Sequence, residues 1–309
     1  LYSDNLFGVY EISDVLGKAG VQHIVGTLLS LEMAPPQAGA KPHKPPQIPL
    51  LAQDEGGYLN LCKLLSADYL EVGPGDYPHV TAEKLAAHAG GLIALTGGPG
   101  GPIDRLLLEG QRAAAETALD RLAALFEGRL YVELQRHDQP EERATEEALL
   151  DMAYVKGLPI VATNDVHFGA ASMYEAHDAL LCIAEGNFVS QDERRRLTRE
   201  HRFKTPAEMT ARFADLPEAI ENTLEIARRC AFVPKKRKPI LPVFTPPSGR
   251  TAQAELKAQA ESGLAARMAR AKQLTGEAGA YHERLAYELG IINHMGFPGY
   301  FLIVSNFMK

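Results

Sequence analysis

The run Leu158–Ala162 is apolar and ends in polar residues, first Thr163 and Asn164 and then Asp165-Val166-His167. An Asp and a His two apart at a strand end can face one ion, because carboxylate oxygen and neutral imidazole nitrogen both suit zinc and manganese. A second strand-like run, LYVELQRH, closes on His137. Asp4, near the first residue, is a fourth candidate ligand. Hydrolysis by several metal ions asks for more, since His and carboxylate groups must converge from different strands around a bridging oxygen. The spacing of His137, Asp165 and His167 therefore leaves two readings open: a metal site, or a polar cluster that only holds structure.

The other strand-like ends are poor in ligands. Thr27, Leu28 and Leu29 follow QHIVG, and QIPLLA carries no His. IALTGGPGG supplies only Thr96 and a Gly/Pro run. That run, Gly97 to Gly101, lacks the Lys-Ser/Thr of a phosphate loop, and Pro99 has no amide to donate, so a tight turn is expected. His23, His79, His88, His177, His201 and His294 have no ligand-like neighbours and are expected as surface or satisfied core histidines. No Ser/His/Asp or Cys/His arrangement supports nucleophilic catalysis.

The elements that must carry these residues alternate along the first two-thirds of the chain. Strand-like runs lie at Val21–Leu29, Ile48–Ala52, Leu92–Thr96, Leu130–Leu134 and Leu158–Thr163. Helical periodicity fills Tyr10–Lys18, Glu55–Leu65, Ala82–His88, Ile103–Phe126 and Glu141–Lys156. Such alternation implies a parallel sheet or barrel with helices outside, whose chemistry gathers at the C-terminal ends of the strands. His137 and Asp165 stand at such ends. The Pro-dense stretch Ala34–Pro49 can be neither helix nor central strand and is expected as an exposed loop, with His43 solvated. Further on, Thr205-Pro206 with Glu208 reads as a capped helix start, and Leu216, Ile220, Leu224 and Ile226-Ala227 as the apolar face of the next helix. Pro234–Gly249, with four basic residues between prolines, reads as a linker, and two amphipathic helices follow.

Bulk properties narrow the function classes. A chain of 309 residues with 46% hydrophobic content can bury a large core. No apolar run approaches the ~20 residues a membrane span needs, and the first residues have no signal-peptide pattern. Cys62, Cys182 and Cys230 are odd in number and unpaired in spacing, which fits a reducing cytoplasm and neither a disulfide framework nor a zinc finger. A net charge of -7 gives no general footprint of a nucleic-acid binder. The first residue is not Met, and a longer parent protein is expected.

Several stretches, taken in order, resemble the alpha subunits of bacterial DNA polymerase III with their PHP (polymerase and histidinol phosphatase) domain. They are DNLFG (4–8), LLAQDEGGYLNLCKLLS (50–66), GLIALTGGPGGPI (91–103), RLYVELQRH (129–137), GLPIVATNDVHF (157–168) and INHMGFPGYFLIVSNFMK (292–309). EAHDALLCIAEG, FKTPAEM and FADLPEAIENTLEIARRC fall between the last two. The resemblance covers essentially the whole chain. It implies an α/β fold, a distorted seven-stranded (β/α) TIM-like barrel of the PHP type, followed by the mainly helical start of the polymerase palm. The expected domains are PHP at 1–233, linker at 234–249 and palm start at 250–309.

The departures from the family pattern bear on the site. The His-x-His pair that opens complete PHP domains has no counterpart here. Thr27 and Leu28 stand where a Glu usually follows IVG, Gln47 where a His precedes the strand, and Gly98 where a Cys is frequent. His137, Asp165 and His167 remain, with Asp4 as a further candidate. The resemblance thus implies a degenerate site, holding at most one weakly bound zinc or manganese ion. It implies a structural role for the PHP domain and a docking surface for the proofreading exonuclease subunit. The sliding clamp, DNA and the magnesium of the polymerase site belong mostly to regions outside this chain, where the family's polymerase carboxylates also lie, so this chain alone is not expected to polymerise. A free-standing PHP phosphoesterase and the related alpha-type polymerase of damage tolerance stay open as alternatives.

Overall fold

A computed structural model describes residues 2–3, 5–33, 44–237, 240, 242–270 and 277–308. The chain forms two compact units, Leu1–Lys235 and Lys236–Lys309. The first is a mixed α/β unit built on seven strands: β1 (Tyr2–Ser3), β2 (Gly26–Glu32), β3 (Gln47–Ala52), β4 (Val80–Thr81), β5 (Leu92–Leu95), β6 (Leu130–Gln135) and β7 (Ile160–Thr163). Six follow the order β1-β2-β3-β5-β6-β7, and β4 pairs with β2 off that path. Among the described residues β1 pairs only with β2 and β7 only with β6, so no β1–β7 ladder closes the sheet.

One strand departs from the parallel arrangement that the strand–helix alternation predicts. β3 is antiparallel to both β2 and β5, with Ser30 opposite Gln47 and Leu51 opposite Ile93. The cause lies in the connection. A parallel return needs a crossover, usually a helix, and the Pro-dense chain between β2 and β3 carries no helical pattern. The first residue of β3 thus stands at the same end of the sheet as the last residues of β5, β6 and β7.

Alternation along the strands sorts side chains onto two buried faces. Leu50, Leu92, Ala94, Leu130, Val132, Leu134 and Ile160 join the main core with the flanking helices. Leu51, Ile93, Leu95, Tyr131 and Val161 point the other way and pack with Ile226 and Cys230 from the helix Pro217–Arg229. Both faces are covered, which is why these strands read as nearly continuous apolar runs.

The expected helix Ile103–Phe126 is two helices, Pro102–Leu108 and Arg112–Leu125. Gly110 between them takes φ 74°, a left-handed conformation that ends the first helix and that glycine adopts without penalty. The first expected strand lies further along than its apolar run, at Gly26–Glu32 rather than Val21–Leu29. The capped helix start at Thr205 is present: its hydroxyl accepts from Glu208 N at 3.3 Å, and Glu208 Oε2 accepts from Thr205 N at 2.8 Å. The second unit holds helices Ala252–Arg270, Ala278–His294 and Pro298–Met308, whose Leu256, Leu289 and Leu302 form its own small core. The three cysteines are free, and no helix among the described residues is long and apolar enough to cross a membrane.

The face of Pro217–Arg229 differs from the expected one at Leu224. Leu216, Ala219 and Ile226 are buried with Cys230, whereas Leu224 is 60% exposed. The buried stripe advances by three residues from Leu216 to Ala219, by seven to Ile226 and by four to Cys230, and Leu224 falls just outside it. Its register on the sheet is fixed by Asn222, which donates from Nδ2 to Ile160 O at 2.8 Å. Ile226→Ala is therefore expected to cost about 2–5 kcal/mol, and Leu224→Ala no more than roughly 0.5 kcal/mol. Urea midpoints of the two variants check this; equal losses would show that the helix is rotated from this register.

Candidate functional site

β6 and β7 are parallel neighbours with Gln135 opposite Thr163. His137 and Asp165 each follow two residues beyond that pair, so the strand ladder itself brings them side by side. Arg136 anchors the turn from outside. Its guanidinium donates to Glu146 at 2.9 and 2.6 Å and to Asp215 at 2.7 and 2.8 Å. It also lies 4.6 Å from the centre of the Phe213 ring. Asp138 next takes φ 66°, a left-handed conformation that Asp tolerates better than most residues, and its carboxylate pairs with Arg212 at 3.2 Å.

This tight reversal aims His137 inward, where it is 1% exposed. The Glu142 carboxylate, on the helix Pro140–Lys156, accepts from His137 N at 2.6 Å, from Gln139 N at 3.1 Å, and contacts His137 Nδ1 at 2.7 Å. Burial works to raise the Glu142 carboxyl, but the hydrogen bonds and charge of His137 outweigh it and hold it below its ordinary value. On the far side of the ring, Nε2 meets Asp165 N–H at 3.1 Å and Asn164 Oδ1 at 3.0 Å. Asn164 is itself held, by Lys204 Nζ at 3.0 Å and by its own donation to Arg202 O at 3.0 Å.

Asp165 Oδ2 contacts His167 Nε2 at 3.0 Å. The Asp165 side chain is half exposed, so burial pushes its carboxyl up only in part, and the hydrogen bond from His167 with the nearby charges of His167, His201 and His137 makes the net direction down. The His201 ring stacks on His137 with centroids 4.2 Å apart and lies 5.8 Å from His167. Burial, and then the charge of His137, push His201 down to about 4, so it is neutral at pH 7. His177 lies 5.4 Å from His167, ring to ring.

The structure thus brings His137, Asp165 and His167 together, while Asp4 lies outside the described residues. Both ring nitrogens of His137 already have partners, and Asp165 and His167 face each other. Among the described residues no three His, Cys, Asp or Glu side chains converge to hold a metal ion. Of the other positions singled out in the sequence, Thr27 is fully buried near the start of β2 and not at the strand end expected for it, Gln47 donates to Ser30 Oγ at 3.3 Å, and Gly98 forms part of a short turn. Gly97 in that turn has φ 95°, and a Cβ there would sit 2.2 Å from Gln47 O, so the chain passes too close for any other residue.

Sequence reasoning set His201 aside and did not single out Glu142, Asn164 or Lys204. Glu142 had a signal, three residues after Gln139 and with Pro140 between, at the start of a helix. His201 had one too, three residues after the capping Thr198, whose hydroxyl donates to His137 O at 2.5 Å. Lys204 had none; its burial depends on contacts between distant parts of the chain.

With this geometry in view, the comparisons with known proteins define the class first. The PHP domain family matches residues 3–137, and the family described as the bacterial DNA polymerase III alpha NTPase domain matches residues 254–309. Similarity to individual proteins extends further along the chain. The DNA polymerase III subunit alpha of Caulobacter vibrioides is 49% identical over 99% of this chain and 27% of its own length. That of Rickettsia prowazekii is 38% identical over 99% of this chain and 26% of its own. That of Pseudomonas aeruginosa is 37% identical over 85% of this chain and 23% of its own. The chain belongs to the family of bacterial DNA polymerase III alpha subunits, and it spans about a quarter of the length of these curated relatives.

Beside Glu142 lies another buried acid, Asp104, 1% exposed. Burial raises its carboxyl from the ordinary 3.8 to about 6, against the hydrogen bond from Thr145 and with help from the charges of Glu133 and Glu142. A carboxyl raised on folding holds its proton more tightly in the folded state. Its contribution is therefore present below pH ~4 and lost as pH climbs through about 6, a difference of roughly 3 kcal/mol. Asp104→Asn should remove this slope, gaining stability relative to the wild type at pH 7.5 but not at pH 4. Urea denaturation of both proteins at the two pH values checks this; a constant difference between them would contradict it.

Proposed function

We propose that this chain is part of a replicative DNA polymerase III alpha subunit, and that its first unit acts there as a scaffold and as the docking module for the proofreading exonuclease subunit. The observation that carries this reading is the 49% identity to such a subunit over 99% of the chain. The seven strands of the first unit are read as a distorted (β/α) barrel of the PHP type, supported by six strands running one way and helices covering the sheet. The parent protein is a DNA-directed DNA polymerase working in the cytoplasm with DNA, a sliding clamp and magnesium. The carboxylates of that reaction lie outside this chain, so the chain alone does not extend primers.

The His137–Asp165–His167 cluster is read as a degenerate PHP site with a structural role. What supports this is that each group already has a protein partner: Glu142 and Asp165 N–H on His137, and Asp165 on His167. A single zinc or manganese ion would have to displace these contacts and is at most weakly held. Two measurements test the function. Phosphatase assays with manganese or zinc are expected to stay at background; turnover that disappears in Asp165→Ala would instead identify a working phosphoesterase. Calorimetry of the whole chain with the exonuclease subunit is expected to show binding that survives substitutions in the Lys236–Lys309 unit. Binding lost on such substitutions would place docking outside the α/β unit.

A further inference from the structure

Behind the His137 turn a small cavity opens between the end of β6, the turn at Gly98-Pro99, and the helices Pro102–Leu108 and Pro140–Lys156. Asp104, Glu133, Gln135, Glu142, Thr145 and Glu146 supply its polar lining. Two of the deepest carboxylates already hold protein donors. Glu133 accepts from Gly97 N at 3.0 Å, Gln135 Nε2 at 3.1 Å and Thr163 Oγ1 at 2.5 Å. Glu142 accepts from the turn that holds His137.

Asp104 is different. Its Oδ1 accepts from Thr145 Oγ1 at 2.7 Å. Its Oδ2 is buried and has no hydrogen-bond partner among the described residues. Leaving such an atom unmatched is costly, and native proteins satisfy buried polar groups with protein or with ordered water. Carboxylate or carboxylic acid, Oδ2 needs a partner in either state. The cavity leaves ≈ 10 Å³ for the centre of a water molecule, close to the roughly 10–15 Å³ that one buried water requires.

We propose that this cavity is a binding site for one water molecule, hydrogen-bonded to Asp104 Oδ2 and bridging the helix Pro102–Leu108 to the acids around Glu142. Water suits the site because the surrounding side chains offer mainly acceptors, and water brings two donors. A metal ion does not suit it. The Glu133 and Glu142 oxygens already face N–H and O–H donors, and no three ligating groups converge among the described residues. The water then belongs to the support of His137, since Glu142 lines the cavity on one side and holds the imidazole on the other.

A high-resolution crystal structure of the whole chain, with and without a manganese soak, tests the site. The expected result is one density peak within hydrogen-bond distance of Asp104 Oδ2, without anomalous signal from manganese. An empty cavity, or an anomalous peak in it, overturns the proposal. Asp104→Leu, which removes the acceptor and fills its space, is expected to lose the peak. A peak that persists in Asp104→Leu crystals would also overturn it, because the water would then belong to the other acids.

Discussion

The Glu142 carboxylate is the constraint on which the mouth of the sheet depends. The chain reverses within three residues after β6, through a left-handed Asp138, and leaves the N–H groups of His137 and Gln139 without strand or helix partners. One buried side chain answers both and holds the imidazole as well. With the ring fixed, Nε2 is presented to the backbone of Asp165, and beyond the last ladder pair the chains leaving β6 and β7 are tied together by a side chain. The geometry that places His137 where a ligand would stand is the same geometry that occupies its nitrogens.

Around this point the structure adds layers that share partners. His201 stacks on His137, and Thr198 joins the two through its hydroxyl. Lys204 fixes Asn164, which contacts His137. Arg136 and Arg212 exchange carbonyl contacts, each donating to the other's backbone oxygen at 2.8 Å. Groups coupled in this way do not contribute independently, and a single substitution at the cluster disturbs several contacts at once. Such a cluster resembles a buried fastening between strands and helices more than an open coordination sphere.

Much of the architecture was legible because its signals are local. Apolar runs marked β3, β5, β6 and β7, and the Thr205-Pro206 start with Glu208 marked a helix to the residue. What was not legible depends on partners far along the chain. The two-residue strands Tyr2–Ser3 and Val80–Thr81 have no pattern of their own and exist by pairing with β2. The exposure of Leu224 follows from the rotation of its helix, which is fixed by Asn222 on Ile160 far back in the chain. At the site, strand ends pointed to His137 and Asp165, while the neighbours that decide their chemistry, Glu142 and His201, emerge only when turns and capping residues are placed in space.

The reversed strand changes how the connection before it can vary. Links between parallel strands must travel the length of the sheet and return, so their helices are fixed in length by the sheet they cross. The link from β2 to β3 starts and ends at one edge of the same mouth, with Ser30 opposite Gln47. Its length is set by loop closure alone, and doubling such a loop costs only about 0.6 kcal/mol. Insertions in this one connection are therefore expected to leave the strand register untouched, without rebuilding the sheet.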